Sequence, residues 1–147
     1  MYLLDTNVAS VLAPGRQVRG AERVIEWLRA HEPALHFSTM TVMEIESGIA
    51  RLSRAGATRR RAELSAWLAG LIRQFEDRVI SFDREAAVIA GRMEGEALAA
   101  GRHPGLADII IAACATRHGF VVLTRNLRHF LPLGADAIDP FQAHDNK

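Results

Sequence analysis

The chain is poor in several residue types, and each scarcity excludes something. It has a single cysteine, Cys114, so it cannot form an internal disulfide, and nothing in its composition points to an oxidising compartment. Its longest apolar run, around residues 109–115, is far shorter than the roughly 20 residues of a membrane span. The N-terminus also lacks the basic region of a secretory signal. We therefore expect a soluble, cytoplasmic protein without a membrane partner.

Neither positive nor negative charge is in clear excess. The chain carries 18 Lys and Arg against 17 Asp and Glu, and a formal net charge of +1 argues neither for nor against nucleic acid. Lys147 is the one lysine, and the other basic residues are arginines, which suit bidentate phosphate contacts. An alanine- and arginine-rich chain also reflects genomic composition bias. Arginine content alone therefore decides nothing.

What the chain does have is enough apolar sequence for one domain with a sizeable core, since 49% of its 147 residues are hydrophobic. Short apolar strands are predicted near residues 1–4, 35–38, 79–82 and 120–123, with a last edge strand at 136–139. Helical patterns lie between them, near residues 21–31, 39–53 (with Thr39 or Thr41 at the start), 59–75, 84–101 and 106–118. This alternation predicts a three-layer α/β/α domain with a central parallel sheet of about four to five short strands. We expect a single domain over residues 1–147, with a polar tail from about residue 142.

Four polar side chains interrupt apolar contexts. Asp5 closes the first strand, Glu44 lies in the predicted first turn of its helix, Asp108 is near the start of the most apolar helix, and Asn126 follows strand 120–123. In open α/β sheets ligands bind at the carboxyl edge, so we expect the three carboxylates to meet there with no lysine nearby. Two unit charges about 5 Å apart repel by about 3 kcal/mol at an effective dielectric of 20. A bound cation relieves this repulsion, oxygen ligands favour Mg²⁺ or Mn²⁺, and such a site serves phosphodiester hydrolysis.

Each of these residues also has a purely structural interpretation. Asp5 could cap the turn after its strand, Asp108 could complement a helix dipole, and Asn126 could be an ordinary turn residue. Residues 41–44 match a capping box with Thr41 at the N-cap and Glu44 at N3, which favours capping when Glu44 is taken alone. The functional interpretation depends on the carboxylates converging.

Four segments, in this order and spacing, resemble the PIN domain, and a fifth resembles the end of that domain, so that the match covers nearly the whole chain. The segments are Leu4-Asp5-Thr6-Asn7; Thr41-Val42-Met43-Glu44 with Gly48; Ala107-Asp108-Ile109-Ile110-Ile111-Ala112-Ala113; Leu123-Thr124-Arg125-Asn126 with Phe130; and Ile138-Asp139-Pro140-Phe141. The resemblance is strongest to the VapC toxins, in particular the FitB-like branch of type II toxin–antitoxin modules.

The resemblance implies an Mg²⁺- or Mn²⁺-dependent endoribonuclease toxin that hydrolyses RNA through a metal-activated water. By this likeness Asp5, Glu44 and Asp108 would be the metal ligands, and together with Asn126 the catalytic residues. Many PIN domains carry a fourth acid where this chain has Asn126. An amide brings no charge, so we expect one tightly bound ion and a weaker one supplied with substrate.

The same resemblance assigns supporting residues. Thr6 and Thr124 would support the pocket through their hydroxyls, and Asn7 would position the turn at Asp5. Arg125 could contact RNA phosphate or could equally be a surface charge that flanks a strand. The densest basic region could bind substrate or antitoxin, although a solvated loop and helix start is the simpler interpretation. Four histidines lack zinc-site spacing and are interpreted as structural. The basic residues are Arg51, Arg54, Arg59, Arg60 and Arg61, and the histidines are His36, His103, His118 and His129.

The partners implied are an RNA substrate, a cognate antitoxin of the VapB or FitA type and a second copy in a homodimer, with DNA contacted only indirectly through the antitoxin. One alternative is a PIN-fold protein with weak or no catalysis that acts only as an antitoxin-bound regulatory partner, which Asn126 favours. Another is a small phosphohydrolase, which would need a second Asp two residues after the first. Asn7 occupies that position.

Overall fold

A computed structural model describes residues 1–142, in which a five-stranded parallel sheet is the central layer. The strands are β1 (Tyr2–Leu4), β2 (Leu35–Ser38), β3 (Val79–Ile80), β4 (Val121–Leu123) and β5 (Ala137–Ile138). Their order across the sheet is β3-β2-β1-β4-β5, and every neighbouring pair is parallel. The predicted parallel sheet is confirmed, although β3 ends two residues earlier than expected. Apart from Gln142, the predicted polar tail lies outside the described residues.

The five predicted helices are present between the strands, together with two short ones at Thr6–Ala9 and Leu127–Phe130. In chain order the α-helices of residues 1–142 are α1 (Thr6–Ala9), α2 (Ala21–Ala30), α3 (Thr39–Arg54), α4 (Thr58–Phe75), α5 (Arg84–Ala99), α6 (Leu106–His118) and α7 (Leu127–Phe130). In residues 1–142 none of these helices is both long and apolar enough to cross a membrane.

Two separate cores cover the two faces of the sheet. Successive strand residues point to opposite faces, so Leu3 packs with α5 and α6 while Leu4 packs with α2, α3 and α4. Helix α6 is buried continuously from Ile109 to Ala115, as its uniformly apolar sequence predicts. Fully burying a leucine contributes about 1.5–3 kcal/mol, and both leucines of β1 are buried. The three-layer α/β/α architecture is therefore confirmed.

The start of α3 differs from the capping box that the sequence suggested. Ser38, the last residue of β2, is the N-cap, and its hydroxyl accepts a hydrogen bond from the Thr41 amide at 3.2 Å. Thr41 is the third helical residue, is buried, and donates its hydroxyl to the Leu4 carbonyl at 3.4 Å. Glu44 consequently lies in the second turn and does not cap the helix. The prediction that placed it in the first turn was wrong.

The strand order creates a crevice at one edge of the sheet. From β1 the chain proceeds outward through β2 to β3 and then returns to β4 on the other side of β1. The carboxyl ends of β1 and β4 therefore flank a topological switch point, where open α/β sheets bind their ligands. Asp5 and Thr124 are the residues that directly follow these two strands.

Candidate active site at the carboxyl edge of the sheet

Asp5 is fixed at the switch point by its backbone and by both of its carboxylate oxygens. Its amide donates to the Leu123 carbonyl at 2.9 Å, which extends the pairing of β1 with β4. Oδ1 accepts from the Thr6 amide at 2.7 Å, and Oδ2 accepts from the Thr124 hydroxyl at 2.7 Å. The side chain caps α1 and is only 5% exposed. The capping interpretation of Asp5 therefore holds, and it leaves a carboxylate at the sheet edge.

Thr124 and Asn7 connect the end of β4 to the end of β1. The Thr124 hydroxyl donates to Asp5 and accepts from the Asn126 amide at 2.9 Å. The Asn7 side-chain oxygen accepts from the Arg125 amide at 3.3 Å. Asn7 thus fixes the turn after β4 relative to the turn after β1. These contacts hold the Asp5 side of the edge in one arrangement.

Glu44 reaches the same edge of the sheet from α3. Its Oε1 accepts from the Thr6 hydroxyl at 2.7 Å, and Glu44 itself is half-buried. Thr6 also donates its amide to Asp5. One threonine therefore links two of the three predicted acids.

Asp108 lies in the first turn of α6 and has a partner that the sequence did not reveal. Its Oδ2 lies 2.9 Å from Nδ1 of His129 on α7, and the two side chains are 22% and 41% exposed, respectively. We interpreted His129 as a structural histidine because its spacing from the other histidines fits no zinc site. The pairing joins residues 21 positions apart, and no local pattern in the sequence indicates it.

The electrostatics of Asp5 show that the three acids influence one another. Burial raises the pKa of Asp5 from its usual 3.8 to about 6, against the lowering effect of the hydrogen bonds from Thr124 and Thr6. The charges of Asp108 and Glu44 raise this pKa further. Both charged groups that shift it are thus acids, with no described cation offsetting them. Asp108 and Glu44 are therefore close enough to Asp5 for their charges to raise its pKa.

The acids do not surround a common point in their present positions. Within residues 1–142 no three His, Cys, Asp or Glu side chains are arranged so that they could hold a metal ion as they stand. Each predicted ligand bonds instead to an internal donor: Asp5 to Thr124, Glu44 to Thr6 and Asp108 to His129. The side chains nevertheless suit a hard divalent cation, because they offer oxygen atoms as metal ligands and carry uncompensated negative charge. Metal ligation by these residues stays a prediction.

Asn126 and Arg125 lie beside the acids, in the turn after β4. Asn126 precedes α7, and its side chain makes no capping hydrogen bond there. Arg125 is exposed, and its guanidinium carbon lies 4.6 Å from the centre of the Phe141 ring. Their predicted catalytic and RNA-binding roles stay predictions.

The sequence matches the family model of the PIN domain over residues 2–131. The chain belongs to the PIN-domain family. This establishes the family suggested by the five sequence segments.

Two relatives of this PIN-domain chain are similar to it over almost their full length. The plasmid stability protein StbB of Pseudomonas syringae pv. tomato is 35% identical over 97% of this chain and 100% of its own. The VapC ribonuclease Y4jK of Sinorhizobium fredii is 34% identical over 97% of this chain and 99% of its own.

Three solved structures contain chains that are similar to this one. The crystal structure of FitAcB from Neisseria gonorrhoeae superposes with a TM-score of 0.83 at 29% identity, covering 96% of this chain and 99% of the other. A structure of FitAB bound to a DNA fragment has a TM-score of 0.75 at 29% identity and covers 96% of each chain. A toxin–antitoxin complex from Klebsiella pneumoniae has a TM-score of 0.61 at 25% identity, covering 95% of this chain and 98% of the other.

Proposed function

We propose that this PIN-domain protein is an Mg²⁺- or Mn²⁺-dependent endoribonuclease toxin of a toxin–antitoxin module, acting in the cytoplasm. The observation that carries the proposal is the carboxylate of Asp5. It is buried between the ends of two central strands, and its pKa is raised to about 6 by burial and by two neighbouring acids. Such a group is costly to the fold unless a cation compensates it. The name of the similar VapC ribonuclease supports the class of reaction.

Asp5, Glu44 and Asp108 would hold the divalent ion. When bound, it supplies a Lewis acid that neutralises the charge developing on the scissile phosphate. The Thr124 hydroxyl holds one oxygen of Asp5, and Thr6 connects Asp5 and Glu44 through its amide and its hydroxyl.

Asn126 would supply only a neutral amide contact, so we expect one tight ion and a second, weaker one that arrives with the RNA. Its backbone amide bonds to the Thr124 hydroxyl, which places Asn126 next to the group that orients Asp5. An uncharged side chain at this position adds no further repulsion to an edge that already carries three acids.

The proposed partners follow from the same comparisons. The structural relatives are solved as FitAcB, as FitAB bound to DNA and as a toxin–antitoxin complex. We expect this chain to form a homodimer, to bind a cognate antitoxin of the VapB or FitA type, and to contact DNA only through that antitoxin.

A non-catalytic PIN-fold protein that acts only with its antitoxin is the second candidate. Two observations favour it: an uncharged Asn126 at the fourth position and the absence of a ready-made metal cluster among residues 1–142. The presence of all three acids at one edge argues against it.

Cleavage of total tRNA and rRNA by the purified protein separates the two candidates. The assay contains Mg²⁺ or Mn²⁺, with EDTA, Asp5→Ala and the exposed-site control Asp77→Ala as comparisons. Metal-dependent cleavage that EDTA and Asp5→Ala abolish but Asp77→Ala keeps would support the ribonuclease. No cleavage by folded, antitoxin-free, metal-supplied protein would favour the non-catalytic partner.

A further inference from the structure

A basic cleft lies beside the carboxyl edge and has no role in the site described so far. It has a volume of about 490 Å³, and three arginines line it together with Glu22 and Phe141. Arg19 lies just before α2, Arg23 lies in its first turn, and Arg125 comes from the turn after β4. The fold therefore brings together basic groups about a hundred residues apart in sequence. With one acid against three arginines, the cleft has an excess of positive charge.

Arg125 connects this cleft to the acids. It directly follows Thr124, whose hydroxyl bonds to Asp5, and its own amide bonds to the Asn7 side chain. Its guanidinium lies over the ring of Phe141, a cation–π arrangement that restricts the side chain. A restricted guanidinium still presents its N–H edge to a phosphate, and it loses less conformational freedom on binding. Arg125 thus lines the cleft and also directly follows the residue whose hydroxyl bonds to Asp5.

The arginines of the cleft form no salt bridges within residues 1–142, unlike two arginines of the densest basic region at the end of α3 and the start of α4. In that region Arg59 and Arg60 lie 3.6 and 3.5 Å from Glu63, and Arg60 also donates to the Pro14 carbonyl. Arg19, Arg23 and Arg125 form no salt bridge with any described residue, and all three are exposed. The cleft therefore offers basic groups that internal acids have not already neutralised.

Building on the ribonuclease function proposed above, we propose that the cleft of Arg19, Arg23 and Arg125 binds a backbone phosphate of single-stranded RNA next to the scissile bond. The acids repel the substrate's phosphates, so a nearby basic site is needed to hold the strand at the edge. Arginine pairs bidentately with phosphate oxygens, and three converging guanidinium groups match one phosphodiester better than a carboxylate-rich edge can. Contacts to phosphate position the strand without reading its sequence, so the cleft contributes to affinity and orientation but not to base specificity.

The test measures the affinity of a fluorescently labelled, mixed-sequence single-stranded RNA for metal-free protein in EDTA, so that no cleavage occurs. The cleft variant is Arg19→Gln/Arg23→Gln. Its matched control, Arg51→Gln/Arg54→Gln, removes the same charge from exposed residues of α3 outside the cleft. We expect the cleft variant to bind at least about tenfold more weakly, since a charge-assisted hydrogen bond contributes roughly a tenfold factor or more. The slope of log K against log salt should also become shallower by about 0.7, the value for one phosphate contact on a single strand, and the affinity of the control should stay within about twofold of wild type.

A conservative variant strengthens the comparison. Arg19→Lys/Arg23→Lys keeps the charge but loses the bidentate geometry, so we expect an affinity between those of wild type and the glutamine variant. Equal weakening of cleft and control variants would show a net-charge effect and overturn the proposal. The glutamine variant could also keep its RNA affinity but no longer bind the antitoxin. That result would overturn the proposal, because it would show that the cleft binds the antitoxin.

A parallel cleavage assay with Mn²⁺ separates this proposal from the ribonuclease function. If wild type cleaves RNA and the cleft variant shows a raised KM with little change in kcat, both proposals are supported. If wild type cleaves and the cleft variant binds and cleaves like wild type, only the cleft proposal fails. If wild type cleaves nothing but the cleft variant alone loses RNA affinity, the ribonuclease function fails while the cleft stands as an RNA-binding site.

Discussion

The two sides of the candidate site are built in different ways. On one side, Asp5 and Thr124 directly follow two paired central strands, are 5% and 0% exposed, and bond to each other. On the other side, Glu44 and Asp108 project from helices, are only partly buried, and are each held by a single side chain. The strand-borne side has its geometry set by the sheet. The helix-borne side can exchange its partners by rotating side chains.

This difference suggests how the acids could gather around an ion without a change of fold. Glu44 and Asp108 bond to Thr6 and His129, whose hydrogen bonds a metal ligand could exchange locally. Asp5 has little room to move, because the sheet and two donors hold it. We therefore expect Asp5 to act as the fixed point of the site and the helix-borne acids to adjust to it.

Substitution of the helix-borne acids is expected to have the largest effect, which is a loss of RNA cleavage. Glu44→Gln and Asp108→Asn should each lower RNA cleavage by about 10²- to 10³-fold, because each removes charge from the groups that would hold the ion. Neither should change the free energy of unfolding by more than about 0.5 kcal/mol, since both side chains are partly exposed. Cleavage kinetics and urea denaturation measure the two quantities. A large loss of stability in either variant would contradict the distinction between the two sides.

Asp5→Asn should instead stabilise the metal-free protein near neutral pH. The pKa of Asp5 is raised from 3.8 to about 6 on folding, so the folded state binds the proton more tightly. The resulting stability is fully present below pH 3.8 and is lost as the pH rises through about 6. The difference between these pKa values corresponds to about 3 kcal/mol.

Urea denaturation in EDTA at pH 4.5, 6 and 7.5 checks this prediction. Asp5→Asn should exceed wild type by up to about 3 kcal/mol at pH 7.5 and by much less at pH 4.5. Asp77→Asn, at an exposed position, serves as the control. A wild type at least as stable as Asp5→Asn at pH 7.5 would show that ionised Asp5 carries no such cost.

Thr124→Val tests the strand-borne side through a smaller effect on the free energy of unfolding. It removes a hydroxyl that donates to Asp5 and accepts from the Asn126 amide, leaving two groups without that partner. We expect a loss of about 2 kcal/mol in the free energy of unfolding and a further rise in the pKa of Asp5. Thr116→Val, at an exposed position of α6, provides the control. Equal stability of the two variants would mean that the Thr124 hydroxyl contributes nothing.

The smallest effect is expected at His129. His129→Ala removes the hydrogen-bonding partner of Asp108 and should change Mn²⁺ affinity by about tenfold, the usual size for a residue that orients a ligand. A weaker affinity would mean that His129 orients Asp108, and a stronger one that it competes with the ion. Mn²⁺ titration measures the change, with His103→Ala as the control. An unchanged affinity would show that the contact has no part in metal binding.

The sequence predicted the fold and the strand-borne side of the site better than the contacts of the helix-borne side. The position of Asp5 follows from one local feature, an apolar strand that ends in an acid, together with the general geometry of parallel sheets. The partners of Glu44 and Asp108 lie 38 and 21 residues away in sequence and depend on how helices pack. No local pattern contains that information.

The wrong choice of Thr41 as the N-cap of α3 has a similar cause. Ser38 and Thr41 both have side chains suited to capping, and the local pattern favoured Thr41 because Glu44 follows it at the right spacing. In the fold Ser38 ends β2, where the backbone is already extended, and so becomes the cap. Thr41 is buried against β1 instead. Tertiary packing therefore decided between two locally acceptable helix starts.

Calorimetric titration of Mn²⁺ into the antitoxin-free protein shows whether the strand-borne and helix-borne acids form one metal site. We predict one tight ion per chain, with binding lost in Asp5→Asn, Glu44→Gln and Asp108→Asn alike and kept in Asp77→Asn. Absence of Mn²⁺ binding by folded wild type, or binding that survives removal of any one of the three acids, would contradict this prediction.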